Sequence, residues 1–273
     1  MTPPDGDDRF EEIELVADRA DFLDLLVDRR LPKRDVVDEL GHSRSTVNRA
    51  LDDLVEAGLV DETPDGCRTT LVGRLALEEY RRYVRHSNDI LAASEALATL
   101  PKDCDIPAEA IAGGTTHLPR GDRPYEPYQQ AEGFIDESNA FRAAVRTFSH
   151  PSSLQSIRSV ARNGNPVEIV FSRAVFDRLY ADYRDLMETL VELDAFSGYV
   201  ADVSECFSVL ISDRNQPGGT VDTSVLIATY GAENDLEGVI VNSEPAAVRW
   251  AEAWYERYRD AALPMVDAMT DDD

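Results

Sequence analysis

The stretch KRDVVDELGHSRSTVNRALDDLVEAGLVDETPDGCRTT, residues 33–70, decides how the chain is read. Val36, Val37 and Leu40 recur at helical spacing, which predicts a short helix over 33–40 with one apolar face. Gly41-His42-Ser43 breaks it, and Ser43 is placed to cap a second helix over 44–57 that stops at Gly58. That second helix turns Val47, Leu51, Leu54 and Val55 to one side. Its first two turns present Arg44, Ser45, Thr46, Asn48 and Arg49 on the other. Strands over 59–63 and 67–70 are expected around Pro64-Asp65-Gly66, a hairpin-turn signal.

Helix, tight turn, helix and small hairpin make the winged helix-turn-helix pattern. A helix that enters the major groove does so by its N-terminal end, so its base-reading side chains belong in its first turns. Arginine forks onto guanine, asparagine onto adenine, and serine or threonine onto base or phosphate. Those residue types occupy the exposed positions here, and the acids Asp52, Asp53 and Glu56 come only later. The expected contacts to double-stranded DNA are base contacts from Arg44, Ser45, Thr46, Asn48 and Arg49 and phosphate contacts from Lys33, Arg34 and Ser43. Arg68 on the wing is expected at the minor groove or backbone. Other readings of the pattern are a helical hairpin in a larger enzyme, or a winged helix that contacts transcription machinery without specific DNA readout.

The charge balance runs against DNA binding at first sight. Fifty-three acids face 27 bases, a net −26, the wrong sign for approaching a polyanion. Only Lys33 and Lys102 are lysines; the other bases are arginines. Excess carboxylates with almost no lysine point to a salt-in halophilic archaeon. In molar salt the Debye length shrinks to about 3 Å, so net repulsion is largely screened and local charge decides. Between Arg29 and Arg49, six bases face three acids. This positive island coincides with the expected DNA face.

At 273 residues the chain is long enough for two ordinary domains with real cores. It contains no apolar run near the roughly 20 residues that a membrane helix needs, and its start, MTPPDGDDRF, is unlike a signal peptide. Cys67, Cys104 and Cys206 are odd in number and far apart, which implies neither a disulfide framework nor a metal site. A cytoplasmic protein without metal, cofactor or membrane partner is expected.

Before the deciding stretch, Ile13, Val16, Ala20, Leu23 and Val27 predict one helix over 13–27. After it, 70–100 reads as a long helix stopped by Pro101. Its apolar pairs repeat every seven residues: Ala76/Leu77, Tyr83/Val84, Ile90/Leu91 and Leu97/Ala98. Such a stripe suits a dimer helix, although Ser87 and Ser94 interrupt the seam and it could instead pack on the chain's own C-terminal domain. Two recognition helices one DNA turn apart also require a two-fold dimer.

Beyond a linker at 103–107, strands are expected over 110–115, 141–148, 167–171, 199–203, 207–212, 225–230 and 236–241. Helices are expected over 128–138, 152–163, 173–193 with a break allowed, and 244–263. This alternation predicts an α/β or α+β domain on a mixed sheet. The expected domains are a winged helix-turn-helix over 11–70, a linker and dimerisation helix over 71–100, and an α/β effector-sensing or oligomerising domain over 104–266.

The second half carries a resemblance as well. The stretches VRTFSHPSSLQSIRSVARNGNPVEIVFSRAVFDRL (145–179), FSVLISD (207–213) and EPAAVRWAEAWYERYRDAA (244–262), behind a winged helix and helical linker, resemble archaeal transcriptional regulators. These are the relatives of the methanogen filament-growth regulator and the sugar-sensing TrmB type, and more narrowly a haloarchaeal branch, TbsP. The resemblance implies a C-terminal domain with a fold similar to phospholipase D but without its catalysis. It also implies an effector-sensing or oligomerising role, in keeping with a repressor controlled by a metabolite of carbon or sugar metabolism.

Phospholipase-type chemistry needs a histidine and a lysine two residues apart. None of His42, His86, His117 and His150 has a lysine at that spacing. Gly113-Gly114-Thr115 is too short for a phosphate-binding loop and lacks its lysine. No catalytic residue is expected. A ligand pocket fits better, because small molecules bind beyond the carboxyl ends of strands in open α/β sheets. If the strands ending at Ser149-His150, Ser172-Arg173 and Asp213-Arg214 are parallel neighbours, His150, Arg173 and Asp213 could meet a small anionic metabolite, with Arg173 as its bidentate partner. The competing reading makes Ser172 a helix cap and the other groups loop polarity. Trp250, Trp254 and Tyr258 read as the core face of the last helix.

Overall fold

A computed structural model describes residues 7–147, 151–203 and 206–270. It divides into two compact units, Met1–Arg85 and His86–Asp273.

In the first unit α1 (Asp7–Asp18) and α2 (Ala20–Leu26) precede α3 (Lys33–Leu40) and α4 (Arg44–Glu56). The hairpin β1 (Val60–Thr63) and β2 (Gly66–Thr69) follows, and α5 (Leu71–Ala92) begins directly after it. The single helix expected over 13–27 is two helices. Arg19 leaves helical geometry at φ −122° and ψ 21°, yet Arg19 N still donates to Leu15 O at 3.0 Å and Leu23 N to Arg19 O at 3.1 Å. A break of one residue leaves the apolar spacing intact, so periodicity could not reveal it. Gly41 closes α3 in the left-handed region at φ 69°. The hairpin is antiparallel, with Val60 opposite Thr69 and Thr63 opposite Gly66. Leu31 adds a third rung, exchanging hydrogen bonds with Cys67 at 3.0 and 2.8 Å. Gly66 is required there, since a Cβ would stand 2.5 Å from the Leu31 carbonyl. Phe22, Leu23, Leu26, Val36, Val47, Leu51 and Leu54 fill the core, at 0–2% exposure.

The second unit continues with α6 (Ser94–Leu97), α7 (Ala108–Ile111), β3 (Thr115–His117), α8 (Glu126–Asp136), β4 (Ala140–Val145), α9 (Pro151–Arg162) and β5 (Val167–Ser172). Then come α10 (Arg173–Asp182), α11 (Arg184–Val191), β6 (Phe196–Ala201), β7 (Phe207–Asn215), β8 (Val221–Tyr230), β9 (Leu236–Asn242), α12 (Pro245–Asp260), β10 (Leu263–Pro264) and α13 (Met265–Thr270). One eight-stranded mixed sheet runs β10-β6-β5-β4-β7-β8-β9-β3. β4, β5 and β6 are mutually parallel, and the remaining pairs are antiparallel.

Side chains alternate across the strands, as the pleat demands. Ala143, Ile169 and Leu210 face a core built with α8, α9, α10, α11 and α13. Ala144, Val170, Val209 and Ile211 face one built with α6, α7 and α12. Both faces are therefore covered by helices, which is why the central strands read as near-continuous apolar runs. The chain thus joins an N-terminal helical unit to a mixed α/β sheet.

Two expected elements differ. The run 110–115 is not a strand: α7 ends at Ile111, and β3 begins only at Thr115. Pro107 pre-sets the start of α7, Gly113 at φ 82° turns the chain, and a short apolar run reads alike as buried strand or buried helix. The continuous helix over 70–100 is interrupted at Ala93. Ile90 and Leu97 pack with the sheet unit's core, whereas Tyr83 and Leu91 are exposed at 69% and 68%. β10 and α13 had no counterpart in the sequence reading.

Candidate nucleic-acid interface

Ser43 holds the entry to α4. Its backbone is extended, at φ −65° and ψ 151°, and its Oγ accepts from Thr46 N at 3.2 Å. The same Oγ lies 2.9 Å from Ser45 Oγ and 2.8 Å from Thr46 Oγ1, so the three hydroxyls form one cluster at the helix start. Val47, Ala50, Leu51 and Leu54 are buried, which leaves Arg44, Ser45, Thr46, Asn48 and Arg49 all exposed. The expected division of α4 into a core face and a polar face is the one observed.

The charges of the island between Arg29 and Arg49 differ in what they touch. Arg29 pairs with Glu39 at 2.9 Å, and Arg34 pairs with Asp35 at 3.0 Å while staying 81% exposed. Arg30 reaches the hairpin, donating to Thr63 Oγ1 at 2.6 Å and Gly66 O at 3.0 Å, with Asp61 at 3.6 Å. Lys33 Nζ bridges Asp52 on α4 and Glu62 on β1, both at 3.1 Å. Burial draws the Lys33 pKa down, but the hydrogen bonds and charges of Glu62 and Asp52 outweigh it and leave it raised. Lys33 thus staples α3, α4 and the hairpin, a structural task for a residue expected at phosphate. Among the described residues, Arg44, Arg49 and Arg68 have no ion-pair partner. Arg68 is exposed on β2, opposite Asp61.

Sequence reasoning missed the part played by Arg30. The only local signal was its place just before Leu31-Pro32, where the chain passes the hairpin.

Arg173 and Asp213, two of the three groups expected at an effector, are not brought together. His150 lies outside the described residues. Arg173 opens α10 behind Ser172, whose Oγ accepts from Val175 N at 3.3 Å. Asp213 stands at the other end of the sheet, because β7 runs antiparallel to β4 and sets Asp213 opposite Ala140, the first residue of that strand. There it accepts from Thr223 Oγ1 at 2.7 Å and lies 3.8 Å from Arg142. A signal for this was present. Only residues 202–206 separate β6 from β7, and parallel strands need a crossover of about a dozen residues or more.

Among the described residues, no group of His, Cys, Asp and Glu could hold a metal ion, and no helix is long and apolar enough to cross a membrane. Trp254 and Tyr258 are buried on α12, Trp254 packing on both Phe207 and Tyr258, and the partly buried Trp250 also meets Phe207, as expected for a core face.

Comparison with known proteins gives two family matches. The model described as the methanogenesis regulatory protein FilR1, middle domain, matches residues 124–261, and that of the HVO_A0261 N-terminal domain matches 7–90. No curated protein matches the chain. Among solved structures, TrmBL2, reported as an archaeal chromatin protein with a novel mode of DNA binding, is 14% identical. That match covers 92% of this chain and 97% of that one, at a TM-score of 0.41. NucT from Helicobacter pylori is 14% identical over 55% of this chain and 98% of its own, at TM-score 0.43. The phospholipase D family member Nuc from Salmonella typhimurium is 12% identical over 55% and 97%, at TM-score 0.40. The FilR1 match includes the stretches 145–179 and 207–213 on which the resemblance was read, and it spans more than half of the 273 residues. The chain, whose residues 7–90 are similar to the HVO_A0261 N-terminal domain, belongs to the family of the methanogenesis regulatory protein FilR1.

Proposed function

We propose that the protein is a sequence-specific, DNA-binding transcriptional regulator of a halophilic archaeon, acting in the cytoplasm as a homodimer on promoter DNA. One observation carries this reading. Among the described residues, four of the six bases in the positive island are paired with the chain's own carboxylates, and the two that are not, Arg44 and Arg49, stand on the first turns of α4. An arginine that serves the fold is held by a carboxylate. One that serves a partner is left exposed, and guanine offers the bidentate acceptor it lacks.

In this reading Arg44, Ser45, Thr46, Asn48 and Arg49 read base edges in the major groove. Arg34, whose side chain stays 81% exposed beside its chain neighbour Asp35, and the Ser43 end of α4 meet phosphate, and Arg68 meets the backbone or minor groove. Lys33 contributes mainly through the geometry it enforces. Tyr83 and Leu91 on α5 offer exposed apolar surface to a second copy, so the operator is an imperfect palindrome. The regulator is a repressor without enzymatic activity, and a small anionic metabolite of carbon or sugar metabolism that binds near Arg173 shifts its DNA-binding state.

Chromatin pull-down from a high-salt host tests the reading, with an Arg44→Ala/Arg49→Ala variant alongside. Sharp promoter peaks that vanish in the variant are expected. Peaks that persist unchanged would overturn it in favour of a winged helix that contacts protein.

A further inference from the structure

In the sheet unit, the parallel strands β4, β5 and β6 end side by side. Beyond their carboxyl ends the structure has a cleft of about 550 Å³. Three guanidinium-bearing residues line it, Arg146 just past β4 and Arg173 and Arg178 on α10, against the two carboxylates of Asp177 and Asp202. Among the described lining residues three bases stand against two acids, although acids outnumber bases by 53 to 27 over the whole chain.

The positions of these groups are set by the fold. Arg146 N donates to Ser208 Oγ at 3.0 Å, and its carbonyl accepts from Ser172 Oγ at 3.1 Å, so the end of β4 is tied to β7 and to the cap of α10. Arg146 Nη1 donates to Asn234 Oδ1 at 3.3 Å, a neutral acceptor that orients the guanidinium without cancelling its charge. Asn234 belongs to the β8–β9 turn and is the one non-glycine residue at positive φ, 64°, among the described residues. Arg173 is half exposed and only 3.9 Å from Asp177, a contact too long and too wet to occupy it. Its backbone N–H and that of Ala174 open α10, where helix geometry supplies no acceptor.

We propose that this cleft binds the phosphate of a small phosphomonoester, with Arg146 and Arg173 as its charged donors. The inference rests on the effector-controlled reading above and names the ligand class for it. One planar carboxylate is satisfied by a single arginine fork. Here donors come from two elements, the Arg146 side chain just past β4 and, on α10, the Arg173 side chain with the first-turn N–H groups, which suits a group with three terminal oxygens. The cleft exceeds what a bare phosphate fills and lies in the usual size range for small-molecule sites, about 300–1,000 Å³.

Calorimetric titration of the full chain at fixed salt tests this, with glycerol 3-phosphate and succinate as probes. Glycerol 3-phosphate is expected to bind, and succinate at least about tenfold more weakly. Arg173→Ala and Arg146→Gln should each weaken the phosphoester by about tenfold or more, the scale of a lost charge-assisted bond. Arg173 is half exposed, so its variant carries the result even if Arg146→Gln fails to fold. Absence of binding, equal affinity for succinate, or unchanged affinity in Arg173→Ala would overturn the proposal. The Arg44→Ala/Arg49→Ala variant should bind the probe as the wild type does. Loss of binding in that variant would place the anion on the N-terminal unit and also overturn it. Failure of the DNA-binding reading registers separately, as promoter peaks that survive in that same variant.

Discussion

The two arginines on the first turns of α4 and three arginines of the sheet unit, Arg142, Arg214 and Arg259, have opposite fates. On α4, Arg44 and Arg49 are exposed and, among the described residues, without an ion-pair partner. In the sheet unit, Arg142 lies 3.2 Å from Glu252 and 3.8 Å from Asp213, Arg214 lies 3.0 Å from Glu137, and Arg259 lies 3.5 Å from Glu168. Arg259 also stacks with its Cζ 3.4 Å from the Tyr199 ring centroid, and Arg214 lies 5.6 Å from that of Phe134. One residue type therefore does two jobs. In the sheet unit it neutralises acids and covers aromatic faces. On α4 it is held in reserve. Composition counts both kinds alike, so a net charge of −26 conceals two exposed arginines without an ion-pair partner among the described residues.

The largest test of this contrast lies in the sheet core. Phe207 is fully buried and packs 5.4 Å from Trp254, so Phe207→Ala should cost about 3–5 kcal/mol of stability. A lowered denaturant midpoint at constant slope reads it. A loss below about 1 kcal/mol would mean that this core is not packed as described.

Next comes pH. Burial pushes the Tyr230 hydroxyl up from 10.0 to about 12, against its hydrogen bond to Ser208 and the charge of Arg146, which pull it down. The folded state therefore holds this proton more tightly than the unfolded chain. The resulting stability is fully present below pH 10 and is lost as pH rises through 12, roughly 3 kcal/mol in all. Tyr255 is raised too, by burial and then by its hydrogen bond to Glu168. Tyr230→Phe should flatten the stability profile between pH 10 and 12. An unchanged profile would remove Tyr230 from the account.

The third test sets the two kinds of arginine side by side. Arg44→Ala should weaken operator binding by about 1–3 kcal/mol and leave stability within roughly 0.5 kcal/mol. Arg142→Ala should do the reverse, lowering stability by about 1 kcal/mol through loss of its partly exposed pairs with Glu252 and Asp213 and leaving DNA affinity untouched. Paired titrations and melts of both variants decide it, and equal effects on both readouts would erase the distinction. The smallest expected effect is that of Ser43→Ala, about 1 kcal/mol of stability from loss of the bond to Thr46 N.

Legibility followed the range of the interactions. The α3–α4 turn, the Ser43 cap, the buried face of α4 and the hairpin around Pro64-Asp65-Gly66 were all readable, because each depends on residues within a few positions of one another. The strands β5, β7, β8 and β9 were placed to within a few residues, since a run buried on both faces is apolar throughout. The break at Arg19 was hidden because the spacing continues through it. α7 passed for a strand because three apolar residues carry no period.

The amino-acid order alone determined which side chains α4 shows and which it buries, and it determined the local excess of base over acid between Arg29 and Arg49. Only the tertiary structure decided which of those bases remain available. Lys33 is 19 residues from Asp52 and 29 from Glu62, and no local rule brings them together. The same holds for the direction of β7, which carries Asp213 away from Arg173, and for the cleft that Arg146 and Arg173 both line. Caps and turns are specified by neighbours in the chain, whereas ion pairs and strand order are specified by what the packed cores leave side by side.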